Sequence, residues 1–229
     1  MAWYPKAVRK NIPPGPTDPR ITPRLAILHV DAGNASSLYG YFNGRSGGVE
    51  SHFFVRKDGV VEQYRDTAYQ ADANMEANDF AVSIETQGYG AGEWTPQQLA
   101  SIKALLVWLH AVHGIPLVKA TRWDGAGVGY HNLFPTQWAG GPRSCPGPDR
   151  IKQFTTQLVP WMATATTAGK DVDDMTRDEL KEAIREVLAE EETARQLFTG
   201  HAIVKDTRPG GNPKHRVSPS ALLEQAAKQ

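Results

Sequence analysis

"SHFFVRKDGVVEQY", residues 51–64, is two apolar runs held apart by Arg56–Lys57 and the pair Asp58–Gly59. An Asp-Gly step between β-forming residues is a strong short-range hairpin signal, because glycine takes a positive φ without steric cost. The chain therefore builds a sheet here, and the same signature recurs on either side. "RLAILHV" (24–30) is a continuous apolar run of strand length, the pattern of a strand buried on both faces. "FAVSIETQG" (80–88) is another.

A helix must then cover that sheet. "TPQQLASIKALLVWLHAVHG" (95–114) carries its own start and stop signals. Thr95 is the cap, Pro96 takes the first helical position, Gln98 completes a capping box and Gly114 ends the run. Leu99, Ile102, Leu105, Leu106 and Leu109 share one face, which suits packing against strands. "DRIKQFTTQLVPWM" (149–162) reads as a closing helix broken near Pro160. The predicted fold class is α/β, a mixed central β-sheet flanked by helices.

Composition changes near residue 165. All six Trp and all seven Tyr of the 229 residues precede it. The expected organisation is a domain over residues 1–163, a Thr/Ala/Gly/Asp linker over 164–175 and a C-terminal helical extension over 176–229, for self-association or cell-wall binding. "MTRDELKEAIREVLAEEE" (175–192) has a Thr176/Glu179 capping box and a narrow stripe of Leu180, Ile184, Val187 and Leu188. Such a stripe suits self-association or a partner helix. In the tail that follows, turn residues precede a short terminal helix capped by Ser218.

With 25 basic and 25 acidic residues the net charge is zero, which gives no sign of a nucleic-acid partner. No run approaches the ~18 apolar residues of a membrane span, so no membrane insertion is expected. The opening "MAWYPKAVRKNIPPGPTDPR" has no apolar core behind its charges and does not read as a secretory signal.

One cysteine stands in the whole chain, Cys145 in "GGPRSCPGPDR" (140–150). A disulfide within the chain is excluded, and a Gly/Pro loop flanked by Arg and Asp is a poor place for a packing residue. Reactivity or metal binding suits it better. Of seven histidines, His110 and His113 fall at the end of the long helix, where cations are favoured, and His201 and His215 fall in the polar extension. His29 emerges at the end of "LAILH", and His131 follows the glycines of "GVGYHNLF". A satisfied core histidine is the competing reading for His29. With Cys145, the two would give two imidazoles and a thiolate, leaving a fourth zinc position open.

"VESHFFVRKDGVVEQYRD", "NDFAVSIETQG", an early strand ending in His and a late "H…CPGPD" occur in that family's order: the sequence resembles the N-acetylmuramoyl-L-alanine amidase type 2 family across roughly residues 20–160. That family includes phage endolysins, anhydromuropeptide amidases and peptidoglycan recognition proteins. The resemblance implies one zinc held by His29, His131 and Cys145, and peptidoglycan as substrate. It also implies catalysis by Glu85. Some members assist the attacking water with a Tyr before the "HF" pair, but that position is Ser51 here, whereas the alternative Glu is present in "SIET". Where members place a Lys two residues before the third ligand, this chain has Arg143, a permanent cation for the oxyanion. His52 of the "HF" pair is not a ligand in the family and is expected to be structural or to line the substrate groove.

The expected activity is hydrolysis of the amide between N-acetylmuramic acid and L-alanine. The lack of a secretory signal fits both a phage endolysin, which stays in the host cytoplasm until released to the wall, and a cytoplasmic recycling amidase; the extension beyond the catalytic region favours the endolysin. A non-catalytic peptidoglycan-binding module or a phage tail component of the same fold is the alternative. Non-catalytic members often lose the Cys, which is present here.

Overall fold

The computed structural model describes residues 2–14, 18–44, 51–142 and 144–168, together with 204–205 and 216–217. Two compact units divide the chain, Met1–Leu180 and Lys181–Gln229.

The first unit is built on six strands: β1 (Val8–Arg9), β2 (Leu25–Leu28), β3 (Phe53–Val55), β4 (Val61–Gln63), β5 (Ala81–Thr86) and β6 (Gly127–Tyr130). They lie in the order β1-β4-β3-β5-β2-β6. β3 and β4 form the antiparallel hairpin read from Asp58–Gly59, and every other neighbouring pair is parallel. Gly59 has φ +85°, and a Cβ there would press on Gln97 and Ser101. The hairpin tip is thus flush against helix α2 (Pro96–His113), where Ser101 Oγ donates to Gly59 O at 2.6 Å. The predicted capping box is present in full, and Gly114 ends the helix in the left-handed conformation.

Side chains alternate across the sheet, so each face has its own core. On one face Ala26, Leu28, Phe53, Val55, Val82, Ile84 and Val128 pack against Leu99, Ile102, Leu105, Leu106 and Leu109 of α2, with Phe154, Leu158 and Met162 from the closing helix. Full burial of each such Leu or Ile contributes about 1.5–3 kcal/mol over leaving it in water. On the other face Leu25, Ile27 and Ala81 pack under Ala77, Phe80 and Trp138. Phe80 belongs to a 3-10 turn over Met75–Phe80, and Trp138 to the short helix α3 (Pro135–Ala139). Helix α1 (Tyr39–Asn43) sets Phe42 against Phe54 and Tyr64.

Four features differ from the sequence reading. β6 was not legible as a strand, since Gly127 and Gly129 depress β propensity. Both glycines are required by packing: a Cβ on Gly129 would lie 2.6 Å from the Trp138 ring, and one on Gly127 2.5 Å from Val118 O. Secondly, Pro160 does not break the closing helix. α4 (Pro148–Gln153) runs into a π-helical turn over Phe154–Leu158 and on into α5 (Val159–Ala168). The wide turn just before the proline accommodates its missing N–H. Thr155 and Thr156 donate to the carbonyls of Ile151 and Lys152 within it, each at 2.9 Å. Thirdly, residues 164–168 are helical, although they were read as the start of a linker. Alanine is the best helix former, and Thr164 donates its hydroxyl to Trp161 O at 2.8 Å. Fourthly, in the extension β7 (Val204–Lys205) pairs antiparallel with β8 (Arg216–Val217), which lies within the tail read as turn residues. The helix expected over 176–192 and the terminal helix lie outside the described residues.

Candidate metal centre

Strand register sets the site. Leu28 pairs with Ile84 of β5 and Tyr130 of β6. One residue further along, His29, Glu85 and His131 fall in a single row at the carboxyl ends of three parallel strands. This is where open α/β sheets present functional groups. Sequence distance is irrelevant to that row, because parallel pairing aligns positions that lie tens of residues apart.

Cys145 is brought to the row by hydrogen bonds on both sides. Val30 N–H donates to its sulfur at 3.2 Å, and Asn132 N–H donates to its carbonyl at 3.1 Å. One ligand atom from each of His29, His131 and Cys145 lies within 4.8 Å of the others. The edges of a tetrahedral site with nitrogen and sulfur ligands are roughly 3.3–3.8 Å. Closing this set on an ion takes side-chain shifts of about an ångström. The two imidazole rings are already 4.2 Å apart between centroids.

Both rings are oriented by partners that the sequence did not single out. His29 Nε2 lies 2.8 Å from Asn74 Oδ1, and Asn74 Nδ2 donates to Ser83 Oγ at 2.7 Å. With the amide oriented that way, His29 carries its proton on Nε2 and its lone pair on Nδ1, the nitrogen 3.9 Å from Cys145 Sγ. His131 Nε2 lies 2.9 Å from Trp138 O, which fixes the same tautomer. Metal-ligating histidines characteristically donate their second nitrogen to a carbonyl, amide or carboxylate acceptor. No motif marks Asn74. It reaches His29 only because the 3-10 turn folds over β2 and β5.

The electrostatics match the donor set. Burial, with the neighbouring His131, lowers the His29 pKa well below 6.5, so the ring is neutral and able to coordinate. Burial and the Glu85 carboxylate push the Cys145 thiol up to about 12, against the Val30 amide and the Arg150 guanidinium, which favour thiolate. A half-buried sulfur, two imidazoles and a carboxylate in one cluster suit a divalent cation, which would displace the thiol proton. Glu85 Oε1 lies 3.9 Å from His29 Nδ1, and its side chain is largely withdrawn from water.

The remaining candidates separate cleanly. His52 is fully buried: Nδ1 accepts from Ser83 N–H at 3.1 Å and Nε2 lies 2.9 Å from Tyr69 O. It is structural, and burial leaves no place for it in a groove. His113 bonds Thr67 Oγ1, and His110 bonds Ile115 O, so both serve the helix end. Ser51 is buried within the hairpin. Arg143 lies outside the described residues.

The fold and the donor set together define an α/β protein with a three-ligand candidate metal centre at the ends of its parallel strands. Residues 19–148, more than half of the chain, match the family model for N-acetylmuramoyl-L-alanine amidase, and the chain belongs to that family. Among solved structures, peptidoglycan recognition protein SD of Drosophila aligns at TM-score 0.52 and 12% identity, over 67% of this chain and 96% of that one. Staphylococcus aureus hydrolase AmiA aligns at 0.52 and 13%, over 75% and 89%. A selenomethionine derivative of AmpD aligns at 0.50 and 19%, over 69% and 96%. These likenesses show a shared fold. No curated protein sequence matches this one.

Proposed function

We propose that this chain is a zinc-dependent N-acetylmuramoyl-L-alanine amidase that cuts the bond between the muramic acid lactyl group and L-alanine in peptidoglycan. The observation that carries the reading is the His29, His131 and Cys145 cluster with the Glu85 carboxylate beside it, in a chain of that family. His29, His131 and Cys145 would hold the zinc, which when bound supplies a Lewis acid that polarises the scissile carbonyl and acidifies water.

The protein groups do the rest. Asn74 and the Trp138 carbonyl hold the two imidazoles in the tautomer that coordinates through Nδ1. The Glu85 carboxylate accepts a proton from the attacking water at one of its oxygens and returns it to the departing alanine nitrogen. Arg143, two residues before Cys145, supplies a fixed positive charge for the carbonyl oxygen as it becomes tetrahedral. A second compact unit beyond the catalytic one favours a lysin that acts on intact wall, and we assign the chain to that role in phage release. Among the described residues no helix is long and apolar enough to cross a membrane.

The test is incubation with purified cell wall, with and without a strong chelator, following new amino groups alongside reducing sugars. Amino groups that rise, carry N-terminal alanine and vanish with chelator are expected. Zinc-loaded protein that binds wall and releases nothing would establish a recognition module instead. Glu85→Ala is expected to lose at least about 100-fold in kcat with zinc retained, and normal turnover in that variant would remove Glu85 from the mechanism.

A further inference from the structure

Arg150 is 2% exposed, an unusual state for a guanidinium, and the catalytic reading gives it no task. Its place in the fold does. It lies in the first turn of α4 and reaches back over the turn that carries Cys145. Its NH1 donates to Pro146 O at 3.2 Å and to Tyr89 O at 2.7 Å, in the loop after β5. Its NH2 lies where a side chain on Gly88 would be, and Gly88 has φ +151°. Gly147 is pressed as closely against the backbone of Gly90, so the two loops meet without side chains between them.

The third loop joins through Asp31. Asp31 Oδ1 accepts from Gly88 N–H at 2.8 Å and from Gly33 N–H at 3.1 Å. Burial lowers the Arg150 pKa, and the Asp31 charge opposes that shift. The Arg150 guanidinium and the Asp31 carboxylate, each through its own hydrogen bonds, therefore gather the loops that follow β2, β5 and α3. Those loops begin at His29, follow Glu85 and end at Cys145.

We propose that Arg150 is a positioning residue of the metal centre: bonded to Pro146 O and Tyr89 O, it locks the Cys145 turn against the loop after β5, which Asp31 ties in turn to the loop after β2, and so holds the sulfur in reach of His29. Its relevance to catalysis rests on the metal reading above, but the locking itself is a property of the protein alone. Lysine is expected to replace it only in part, since an ammonium on a flexible stem is not held against both carbonyls by a rigid plane as the guanidinium nitrogen is.

The test uses the full chain, as Arg150→Met and Arg150→Lys. Hydrogen exchange is followed in metal-free protein at Val30 N–H, which bonds the Cys145 sulfur, and at Asn132 N–H, which bonds its carbonyl. His29 N–H, bonded to Ile84 O in the sheet, serves as the internal reference. In R150M, exchange at Val30 and Asn132 is expected to accelerate at least about tenfold while His29 holds its wild-type rate. Zinc affinity, measured by competition with a chromophoric chelator, is expected to fall by about 10–100-fold, with R150K between R150M and wild type.

Uniform acceleration at all three amides would show a merely structural residue and overturn the proposal, as would wild-type exchange and zinc affinity in R150M. If R150M does not fold, R150K decides on the same two readouts. Wild-type protein that binds no zinc would overturn the metal reading alone. Selective exchange at Val30 and Asn132 in the variant would still uphold the lock.

Discussion

Replacing Asn74 tests whether the ring of His29 is held for metal binding or merely packed. The residue is fully buried and makes two side-chain bonds, to His29 Nε2 at 2.8 Å and from Nδ2 to Ser83 Oγ at 2.7 Å. Asn74→Ala removes both and leaves two buried groups without partners, at about 1–3 kcal/mol each. It also frees His29 to place its proton on Nδ1, the nitrogen facing Cys145, where it would block coordination. Loss of such an outer partner typically weakens metal binding by about 10–100-fold. Asn74→Asp separates the two effects, because it keeps an acceptor on His29 and makes the ring more basic. Zinc affinity by chelator competition and the urea midpoint of the metal-free protein are the two measurements. The expected order of affinity is Asp at least equal to wild type, and both well above Ala. A metal-free stability loss in Asn74→Ala with zinc affinity within about twofold of wild type would refute the reasoning and make Asn74 a packing residue.

Three further outcomes follow from the same geometry. Because burial and Glu85 push the Cys145 thiol up to about 12, metal must displace a proton from it, while His29 stays neutral. Zinc affinity should therefore rise about tenfold per pH unit between roughly pH 7 and 8.5, and a pH-independent affinity would mean that sulfur is not a ligand. His52 has its pKa lowered by burial from 6.5 to about 4, so the unfolded chain binds more protons in that window. Stability is then fully present above pH 6.5 and lost as pH falls towards 4, by up to about 3 kcal/mol from this residue, with His29 adding in the same direction. Urea midpoints of metal-free protein across that range measure it, and a flat profile would contradict the burial argument. Gly129→Ala places a methyl 2.6 Å from the Trp138 ring, whose carbonyl anchors His131. It should cost about 1–3 kcal/mol and weaken zinc binding together, whereas unchanged stability would show that α3 shifts freely.

The local elements were legible because their signals are local. Asp58–Gly59 specifies the hairpin, Thr95, Gln98 and Gly114 delimit α2, and unbroken apolar runs mark β2 and β5. The candidate ligands were legible through a resemblance spread over several motifs, and the structure brings His29, His131 and Cys145 together and sets Glu85 beside them. Other features have no local signal at all. β6 reads as loop because its glycines are explained only by the Trp138 ring that lies on them. Pro160 reads as a helix end because the π turn that admits it depends on the whole closing helix. Asn74 and Arg150 are ordinary polar residues in sequence. Each gains its role from a partner more than forty residues away, by hydrogen bonds that exist only once β2, β5 and the Cys145 turn are side by side. Local signals thus determined the hairpin, the long helix and two strands, and the resemblance singled out the residues that could hold a metal. Parallel strand register decided that His29, Glu85 and His131 fall in one row, because it places residues remote along the chain side by side, and hydrogen bonds to Asn74 and the Trp138 carbonyl decided the tautomers of the two rings.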